Sequence, residues 1–448
     1  MNSHSENILN PFRIIKKYMK LLILGENCLI KFSSFNKSIF STFSFITSIY
    51  ARQLAAVTPK KHAVKVLESS EEIDLNESFD AVHIHFKTGM ALRAYELADE
   101  FRKRGITVIL SGSHPSAMPE EAKSHADSVI IGSAEILWPV ALKDLENGKL
   151  KLYYESKDHI DQKSFSSPNI LTPQGIKIIG LVEATRGCPY KCDFCQESNI
   201  LNGSIFRTRP IDEVIKEIKS LPQKFLFFCD VSMTIDASYT KALFKSMKDL
   251  NKKFVCEGNA DVLVKDEELL ELSYEAGCIE WTVGFESFAQ QTLESVHKKT
   301  NNVEDFALLV KKIHKYKMAI LGNFIFGFDQ DAPDVFEITQ ENILNVGLDS
   351  ARFAILTPYP GTPLYKRLET EGRILTRDWS KYNRKNVVFE PKNMSKEELQ
   401  NGFLKISNNF NSISNIIYRD FKSLKLGFYP FLTTIGRNLE SYMNRPLK

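Results

Sequence analysis

The chain has 448 residues, 43% of them hydrophobic, which is enough for about two or three hydrophobic cores. Lysine and arginine number 58 and aspartate and glutamate 55, so the formal charge of +3 is too balanced for a protein that binds nucleic acid through a basic surface. Seven cysteines at low density exclude a disulfide scaffold and favour a reducing, cytoplasmic compartment.

The N-terminus and the apolar stretches predict neither an export signal nor a membrane anchor. Residues 1–19 form a polar and basic extension that no small-residue cleavage site follows. No stretch reaches the roughly 18 apolar residues of a membrane-spanning helix. We therefore expect a cytoplasmic protein without nucleic acid as a partner.

Residues 20–150 alternate β-rich runs with amphipathic helical patterns, which is typical of βαβ units in a parallel sheet. The predicted strands are residues 20–24, 63–68, 80–86, 106–112 and 127–132. This pattern predicts a doubly wound, Rossmann-like (flavodoxin-like) domain whose ligand site lies beyond the carboxyl ends of the strands. Glycine and serine in those loops would suit any cofactor with a nucleotide tail.

A polar, proline-containing stretch at 151–175 predicts a linker, and a second alternating series follows it. Its predicted strands lie near residues 180–186, 225–231, 253–259, 279–286, 319–328 and 350–358. Six βα repeats over 176–372 predict a partial (β/α)6 barrel, in which active residues occupy the carboxyl ends of the strands. Residues 373–448 predict a small helical C-terminal region.

Three cysteines, Cys188, Cys192 and Cys195, follow the first barrel strand in a C-x3-C-x2-C pattern. Three thiolates can bind three irons of a [4Fe-4S] cubane and leave the fourth iron open. The alternative is zinc, which requires four tetrahedral ligands and would have to recruit distant cysteines. Those cysteines lie in or beside apolar strands, where free cysteine behaves as a small buried hydrophobe.

This spacing, with Phe194 before the last cysteine, resembles the signature of the radical S-adenosylmethionine (SAM) superfamily. The resemblance implies that SAM chelates the open iron and is reductively cleaved to a 5'-deoxyadenosyl radical, which abstracts hydrogen from a substrate. It also implies an electron donor such as flavodoxin or ferredoxin. The protein then has to orient the cofactor and exclude solvent.

Residues on later barrel strands also resemble SAM-binding positions of the family. Asp230 would accept a hydrogen bond from the SAM ammonium group, although a loop or helix-capping acid is an equal alternative. Glu286 would bind the ribose hydroxyls. Gly322, Asn323 and Gly327 would lie against adenine, the alternative being a tightly packed buried strand.

The first domain resembles the cobalamin-binding domain that precedes the barrel in one subfamily. By this resemblance, the cobalamin contacts are Thr88 toward the corrin edge, Gly112 and Ser113 along the groove for the dimethylbenzimidazole tail, and His114, Gly132 and Glu135 nearby. Ser113 departs from the paired glycines of relatives, and its side chain could weaken the binding of the tail.

The D-x-H-x-x-G motif, which supplies an axial histidine in other cobalamin proteins, does not occur in this sequence. The lower axial cobalt ligand is therefore left open. His83, His85 and His114 lie near strand ends and are candidate cobalt neighbours. A histidine in such a position is more often a capping residue or a core residue.

The resemblance predicts a cobalamin-dependent radical SAM enzyme that methylates carbon in a small molecule, using one SAM to methylate cobalamin and a second to form the radical. The alternative is cyclisation, rearrangement or oxidation, with cobalamin accessory or absent. A remote alternative is a non-catalytic iron-sulfur or metal-binding module. Aromatic residues near the predicted barrel mouth indicate either a hydrophobic substrate or, as an equal alternative, core packing, and these are Phe326, Phe328, Tyr359 and Tyr365.

The C-terminal region begins a helix at Ser395, which with Glu398 forms a capping-box signature. The mixed aromatic and basic sequence that follows could cover the barrel mouth or contact a membrane surface. A helical cap that packs on the barrel is the favoured expectation, since core helices show the same periodicity.

Overall fold

A computed structural model describes residues 18–29, 49–67, 73–156 and 179–445. Most of the predicted N-terminal extension, and residues 157–175 of the predicted linker, lie outside these ranges. Within them the chain forms two parallel sheets, each with associated helices, and a helical C-terminal region.

Fourteen strands are described. They are β1 (Lys20–Leu24), β2 (Ala63–Leu67), β3 (Ala81–His85), β4 (Thr107–Ser111), β5 (Ser128–Ile131), β6 (Tyr153–Glu155), β7 (Ile179–Val182), β8 (Thr185–Arg186), β9 (Arg207–Thr208), β10 (Phe225–Phe228), β11 (Lys253–Gly258), β12 (Cys278–Glu286), β13 (Ala319–Phe326) and β14 (Ser350–Ile355).

Seventeen α-helices are described. They are α1 (Ile49–Val57), α2 (Ala91–Lys103), α3 (Ser113–Ala117), α4 (Pro119–Ala122), α5 (Ala134–Glu146), α6 (Gln196–Asn199), α7 (Ile211–Ser220), α8 (Ala237–Met247), α9 (Ala260–Lys265), α10 (Glu267–Ala276), α11 (Gln290–Ser295), α12 (Phe306–Lys315), α13 (Val335–Val346), α14 (Pro363–Thr370), α15 (Lys396–Phe410), α16 (Ile413–Ser423) and α17 (Phe428–Met443). Short 3-10 turns supplement them, including Leu424–Leu426 between α16 and α17.

The first sheet has the order β2-β1-β3-β4-β5-β6, and all of its pairs are parallel. This confirms the predicted doubly wound, flavodoxin-like domain, whose strand order reverses between β1 and β3. The boundary predicted at residue 151 is wrong, because β6 pairs with β5 and belongs to the sheet. Three residues flanked by polar sequence carry too little alternation for this strand to be detected.

The second sheet has the order β7-β10-β11-β12-β13-β14, with six parallel strands in chain order. This confirms the predicted partial barrel. On β12, Trp281, Val283 and Phe285 pack into the core shared with the outer helices. The alternate residues, among them Glu280 and Glu286, therefore lie on the inner face.

The first barrel strand is shorter than predicted. It ends at Val182, and residues 185–186 pair instead with 207–208 in an antiparallel two-stranded ribbon. The predicted single strand over 180–186 is therefore wrong. Glu183 and Ala184 interrupt it, because the Asp230 carboxylate binds the backbone N–H of Ala184 in place of a neighbouring strand. The ribbon leads directly into the three cysteines.

The C-terminal region packs on the barrel as a helical cap, with the predicted capping box at Ser395 and Glu398. Tyr429 at the start of α17 accepts a hydrogen bond from Lys224 just before β10, at 2.9 Å. Arg437 of the same helix binds Glu280 near the start of β12, at 3.0 Å. Helix α17 therefore crosses the amino ends of the strands, opposite the cysteine loop.

Residues 373–394 join the two domains. Trp379 and Tyr382 pack into the core of the first domain, and Trp379 Nε1 donates to Glu121 at 2.9 Å. In the part of the chain that is described, no helix combines the length and the apolar character needed to cross a membrane.

Candidate functional site

The cysteine loop runs from the end of β8 to the start of α6 and is shaped by its backbone. Gly187 has a φ of +84°, and a Cβ there would lie 2.1 Å from the carbonyl oxygen of Ile205. Cys188 N–H donates to the Gly203 carbonyl at 2.8 Å. Asn199 Nδ2 donates to the carbonyls of Cys192 and Cys195, at 3.0 and 2.7 Å. These hydrogen bonds fix the backbone of the loop that carries the three thiols.

The segment after α11 holds the other side of the loop. Asp193 N–H donates to the Val296 carbonyl at 3.2 Å, and the Asp193 carboxylate binds His297 Nδ1 at 2.9 Å. Cys192 Sγ lies 3.8 Å from the His297 carbonyl oxygen. A barrel element distant in sequence therefore fixes the position of Cys192.

Burial raises the pKa of the Cys192 thiol to about 12, and the Lys298 ammonium opposes this rise. Cys188 and Cys195 also have pKa values raised by burial. A bound iron cluster would supply the positive charge that stabilises three buried thiolates. No group of three or more histidine, cysteine or acidic side chains among the described residues is arranged to hold a single metal ion.

Lys298 links the cysteine loop to the predicted ribose-binding carboxylate. Its Nζ lies 3.3 Å from Glu286 Oε1 at the end of β12. Burial lowers the pKa of Lys298, but Glu286 and Cys192 outweigh this effect and raise it overall. A Cβ on Gly284 would lie 2.3 Å from Glu286 Oε1, so only glycine leaves room for the carboxylate there.

The backbone at the end of β12 is unusual and has a specific support. Glu286 has a φ of +65°, a conformation that non-glycine residues adopt only where the surroundings impose it. Asn301 Nδ2 donates to the carbonyls of Gly284 and Phe285, both at 2.8 Å. The sequence prediction missed Lys298 and Asn301, since the segment HKKTN at 297–301 has no periodicity or motif that marks it.

Asp230 is buried two residues beyond β10, and its carboxylate is occupied by the chain itself. It accepts hydrogen bonds from Thr185 Oγ1 at 2.7 Å and from the backbone N–H groups of Ala184 and Thr185. Burial raises its pKa to about 7, which these donors oppose. Asp230 therefore ties β10 to the strand that carries the cysteine loop.

Gly322 of β13 and Gly327, the residue after that strand, are closely packed. A Cβ on Gly322 would lie 2.8 Å from Leu348 Cδ1, and a Cβ on Gly327 would lie 2.8 Å from Leu399 Cδ2. Gly327 also has a φ of +102°, a conformation that favours glycine. These contacts agree with the tight-packing alternative, and the place of both glycines at adenine stays a prediction. Asn323 is half-buried and alternates with the core residue Phe324, which places Asn323 on the inner face.

The aromatic residues expected at the barrel mouth are mostly core residues. Phe326, Phe328 and Tyr365 are buried, and only Tyr359 is half-buried. The ring of Phe328 packs against Phe194, with 5.8 Å between ring centroids, so both stabilise the base of the cysteine loop. The core alternative therefore holds for Phe326, Phe328 and Tyr365.

A cleft with a cavity volume of about 100 Å³ lies between the first domain and the barrel. Its walls combine the strand-end loops of the first domain with the segments that flank the cysteine loop. The first domain contributes Tyr50, His85, Lys87, Gly112, Ser113, Gly132, Ser133 and Glu135, and the barrel contributes Glu183, Arg186, Gly187, Glu197, Leu201, Asn202 and Cys229, among others.

Four predicted cobalamin contacts line this cleft: Gly112, Ser113, Gly132 and Glu135. The Ser113 hydroxyl is buried and has no hydrogen-bond partner among the described residues. Glu135 is paired with Arg186 of β8, so its carboxylate joins the two domains. An unsatisfied hydroxyl in a polar cleft is a feature that a polar ligand would satisfy.

Thr88 and His114 do not line the cleft. His114 is buried with Nδ1 3.3 Å from Thr88 Oγ1 and Nε2 3.2 Å from Glu121 Oε1, and its ring packs against Trp379. Thr88 Oγ1 also accepts a hydrogen bond from Gln196 at 3.3 Å. Both side chains therefore help to join the first domain to the rest of the chain, and their predicted place at cobalamin stays a prediction.

The three histidines considered as cobalt neighbours have different environments, and among them only His85 lines the cleft. His83 is fully buried against Trp138. His85 Nδ1 lies 3.0 Å from Ser111 Oγ, and its ring stacks on Tyr50 at 4.7 Å. Burial, assisted by Lys87, lowers the pKa of His85 to about 3, so the imidazole is neutral at physiological pH.

Two protein families match the sequence. The radical SAM superfamily matches residues 182–341, and a domain of unknown function, DUF4070, matches residues 362–427. The sequence is 32% identical to bacteriochlorophyllide d C-12(1)-methyltransferase of Chlorobaculum tepidum, over 73% of this chain and 74% of that protein. It is also 32% identical to the C-8(2)-methyltransferase of the same organism, over 75% of this chain and 79% of that protein.

Two solved structures share the fold. The methyltransferase TsrM from Kitasatospora setae, with cobalamin and a [4Fe-4S] cluster bound, has a TM-score of 0.65 at 16% identity and covers 79% of this chain and 78% of its own. The cobalamin-dependent radical enzyme OxsB has a TM-score of 0.63 at 14% identity and covers 95% of this chain and 72% of its own.

The fold and the cysteine loop define the class of this protein: an iron-sulfur enzyme that uses SAM, with a second cofactor-binding domain. The chain belongs to the radical SAM superfamily, in the group that contains the bacteriochlorophyllide methyltransferases.

Proposed function

We propose that the chain is a cobalamin-dependent radical SAM C-methyltransferase that acts on a small molecule. The observation that carries this proposal is the shared cleft, which is lined by the strand-end loops of the first domain and by Gly187 at the entrance to the cysteine loop. A methyl carrier on one wall would then face a radical source on the other. The similarity to methyltransferases along most of the chain supports the same reaction.

Cys188, Cys192 and Cys195 would hold the cluster, and Ser113 and the glycine loops would hold cobalamin. When bound, the cluster supplies the electron that cleaves SAM, and cobalamin carries the methyl group. The unsatisfied Ser113 hydroxyl fits a polar group of the cobalamin tail, so the serine would contact the tail. Gly112 has a φ of +117°, and Phe86 backbone atoms occupy the place of a Cβ there.

His85 would be a candidate cobalt ligand. One nitrogen of its neutral imidazole is bonded to Ser111 Oγ, and the other, Nε2, lies 3.9 Å from Glu26 Oε1, beyond hydrogen-bond distance, so Nε2 would be the metal-binding atom. Arg186, paired with Glu135 and Glu183, closes the cleft between the domains and keeps the charges of this wall balanced. These groups orient the cofactor and exclude water from the space between the two domains.

On the barrel side, Glu286 would bind the ribose hydroxyls of SAM, with Lys298 holding the carboxylate in place. Asp230 is a positioning residue, since its carboxylate holds the strand before the cysteine loop. Asn323 would face the adenine, and Phe194 would support the loop from below. The acceptor is a small molecule, the electron donor is a flavodoxin or a ferredoxin, and the compartment is the cytoplasm.

The test is product analysis with the anaerobically reconstituted protein, supplied with SAM, cobalamin and flavodoxin or dithionite, together with a candidate acceptor. Methylation predicts both S-adenosylhomocysteine and 5'-deoxyadenosine, because one SAM gives up its methyl group and another its adenosyl group. Formation of 5'-deoxyadenosine with a converted acceptor and no S-adenosylhomocysteine would favour cyclisation or another rearrangement. A protein purified with cobalamin but free of corrin absorption would contradict the proposed cofactor.

A further inference from the structure

Helix α16 has its apolar side on the outside. It buries Arg419 and Ser423, while Ile417 and Phe421 are 62% and 72% exposed. A helix on the surface of a globular protein normally shows the opposite arrangement, with its apolar face toward the core. An uncovered face of this kind marks an interaction surface.

Polar contacts fix this orientation. Arg419 donates to the Phe410 carbonyl at 2.7 Å and to Asn438 Oδ1 at 3.1 Å, and its guanidinium lies over the Phe410 ring. Asn438 in turn donates to Asp420 at 2.6 Å. Turning α16 to bury its apolar face would break these buried hydrogen bonds, which is costly when the groups left behind are charged. The outward orientation is therefore a stable property of the hairpin formed by α16 and α17.

The apolar face continues past the end of α16. We define the apolar stripe as Ile413, Ile417, Phe421, Leu424, Phe428 and Leu432. Ile413, Ile417 and Phe421 recur every four residues and therefore lie on one face of α16. Leu424 lies in the 3-10 turn that follows, and Phe428 and Leu432 lie one turn apart at the start of α17. All six side chains are between 43% and 72% exposed.

The exposed charges around the apolar stripe are basic, and the acidic Asp420 is half-buried and accepts a hydrogen bond from Asn438. The other exposed residues within 413–432 are Ser414, Tyr418, Lys422, Lys425 and Gly427, none of them acidic. Lys422 and Lys425 also line a groove beside the stripe, together with Lys311 and His314 of α12. Exposed apolar and aromatic side chains with a lysine rim are the features of helices that lie in a membrane interface.

We propose that the apolar stripe docks on an anionic lipid bilayer, with Lys422 and Lys425 contacting the headgroups. The lysine rim favours lipid over a second copy of this chain, since two copies meeting through the stripe would bring like charges together. Helix α17 crosses the amino ends of the barrel strands, so the bilayer would lie away from the cysteine loop and the shared cleft. Docking is therefore separate from the proposed reaction.

The test is flotation of the full-length protein with vesicles of phosphatidylcholine, with and without about 30% phosphatidylglycerol. Binding is expected only to the anionic vesicles and should weaken as salt is raised. The variant I417S/F421S/F428S should bind about tenfold or more weakly. The variant K422E/K425E should lose at least about fivefold for each lysine.

The matched control is Y274S/L308S/I338S, which removes three exposed apolar residues from α10, α12 and α13. It should bind vesicles as the wild type does. All variants should retain SAM cleavage, which verifies that they are folded. The proposal is overturned if the stripe variant floats like the wild type, if the wild type binds neither vesicle, or if light scattering shows that the stripe variant instead converts a dimer to a monomer.

Discussion

The two walls of the shared cleft are built differently. On the barrel side the cysteine loop donates hydrogen bonds to the carbonyls of Gly203 and Val296 and accepts them from Asn199, and its neighbouring carboxylate Asp230 is bonded within the chain. On the first-domain side the Ser113 hydroxyl has no partner among the residues that the structure describes, and His85 presents a neutral imidazole. The barrel wall is therefore preorganised by the protein, whereas the first-domain wall has polar groups that a ligand would complete. Substitutions on the two walls should behave accordingly.

The largest effect is expected from C192S, which removes a thiolate from the preorganised wall. The variant should lose the absorption and paramagnetic signals of the reconstituted cluster and form no 5'-deoxyadenosine, because two thiolates leave a cubane iron without its protein ligand. The control is C278S, at a buried cysteine of β12 distant from the loop. A C192S protein that still cleaves SAM would disprove the cluster assignment.

Next in size is K298M, which should lower SAM cleavage about 10- to 100-fold, the range found for residues that orient a metal site. Removal of the ammonium leaves Glu286 unpaired and takes positive charge from beside Cys192. We expect a raised KM for SAM and a shifted cluster potential, with partial rescue by K298R. The control is K299M, at the exposed neighbouring lysine, which should leave SAM cleavage unchanged. Equal losses in both variants would mean that the segment acts only structurally.

A smaller effect is expected from S113V on the first-domain wall. Loss of the hydroxyl should weaken cobalamin binding about 5- to 15-fold, equivalent to one hydrogen bond, and leave cluster assembly unchanged. Equilibrium dialysis or a visible-absorption titration measures this. S124V, at an exposed serine of the same domain, serves as the control. If S113G binds cobalamin more tightly than the wild type, the serine obstructs the tail instead of contacting it.

The smallest effect on turnover, but a distinct spectroscopic one, is expected from H85A. The electron paramagnetic resonance spectrum of bound cob(II)alamin should show nitrogen superhyperfine splitting in the wild type and lose it in the variant, because coordination by the imidazole is removed. H125A, at a half-buried histidine paired with Asp99, should keep the splitting. A wild-type spectrum without nitrogen splitting would exclude His85 as a ligand.

The parallel sheets, the partial barrel and the cysteine loop were predictable from the sequence. Alternation of apolar residues defines strands locally, and the three cysteines lie within eight positions of one another, so the spacing itself carries the chemistry. The capping box at Ser395 is local in the same way and was also predicted. The short strand β6 and the break after Val182 were not, since tertiary pairing decides both.

Only the tertiary structure decided which residues meet. It joined Lys298 to Glu286 across 12 positions of sequence and set His85, but not His83 or His114, in the cleft. It also assigned Gly322 and Gly327 to packing and turned the apolar side of α16 outward. The physical reason is that the periodicity of a sequence indicates which face of a helix or strand is apolar. Contacts between elements distant in sequence determine which residues pack against that face. The sequence by itself determined the radical-generating motif, and the fold determined its surroundings.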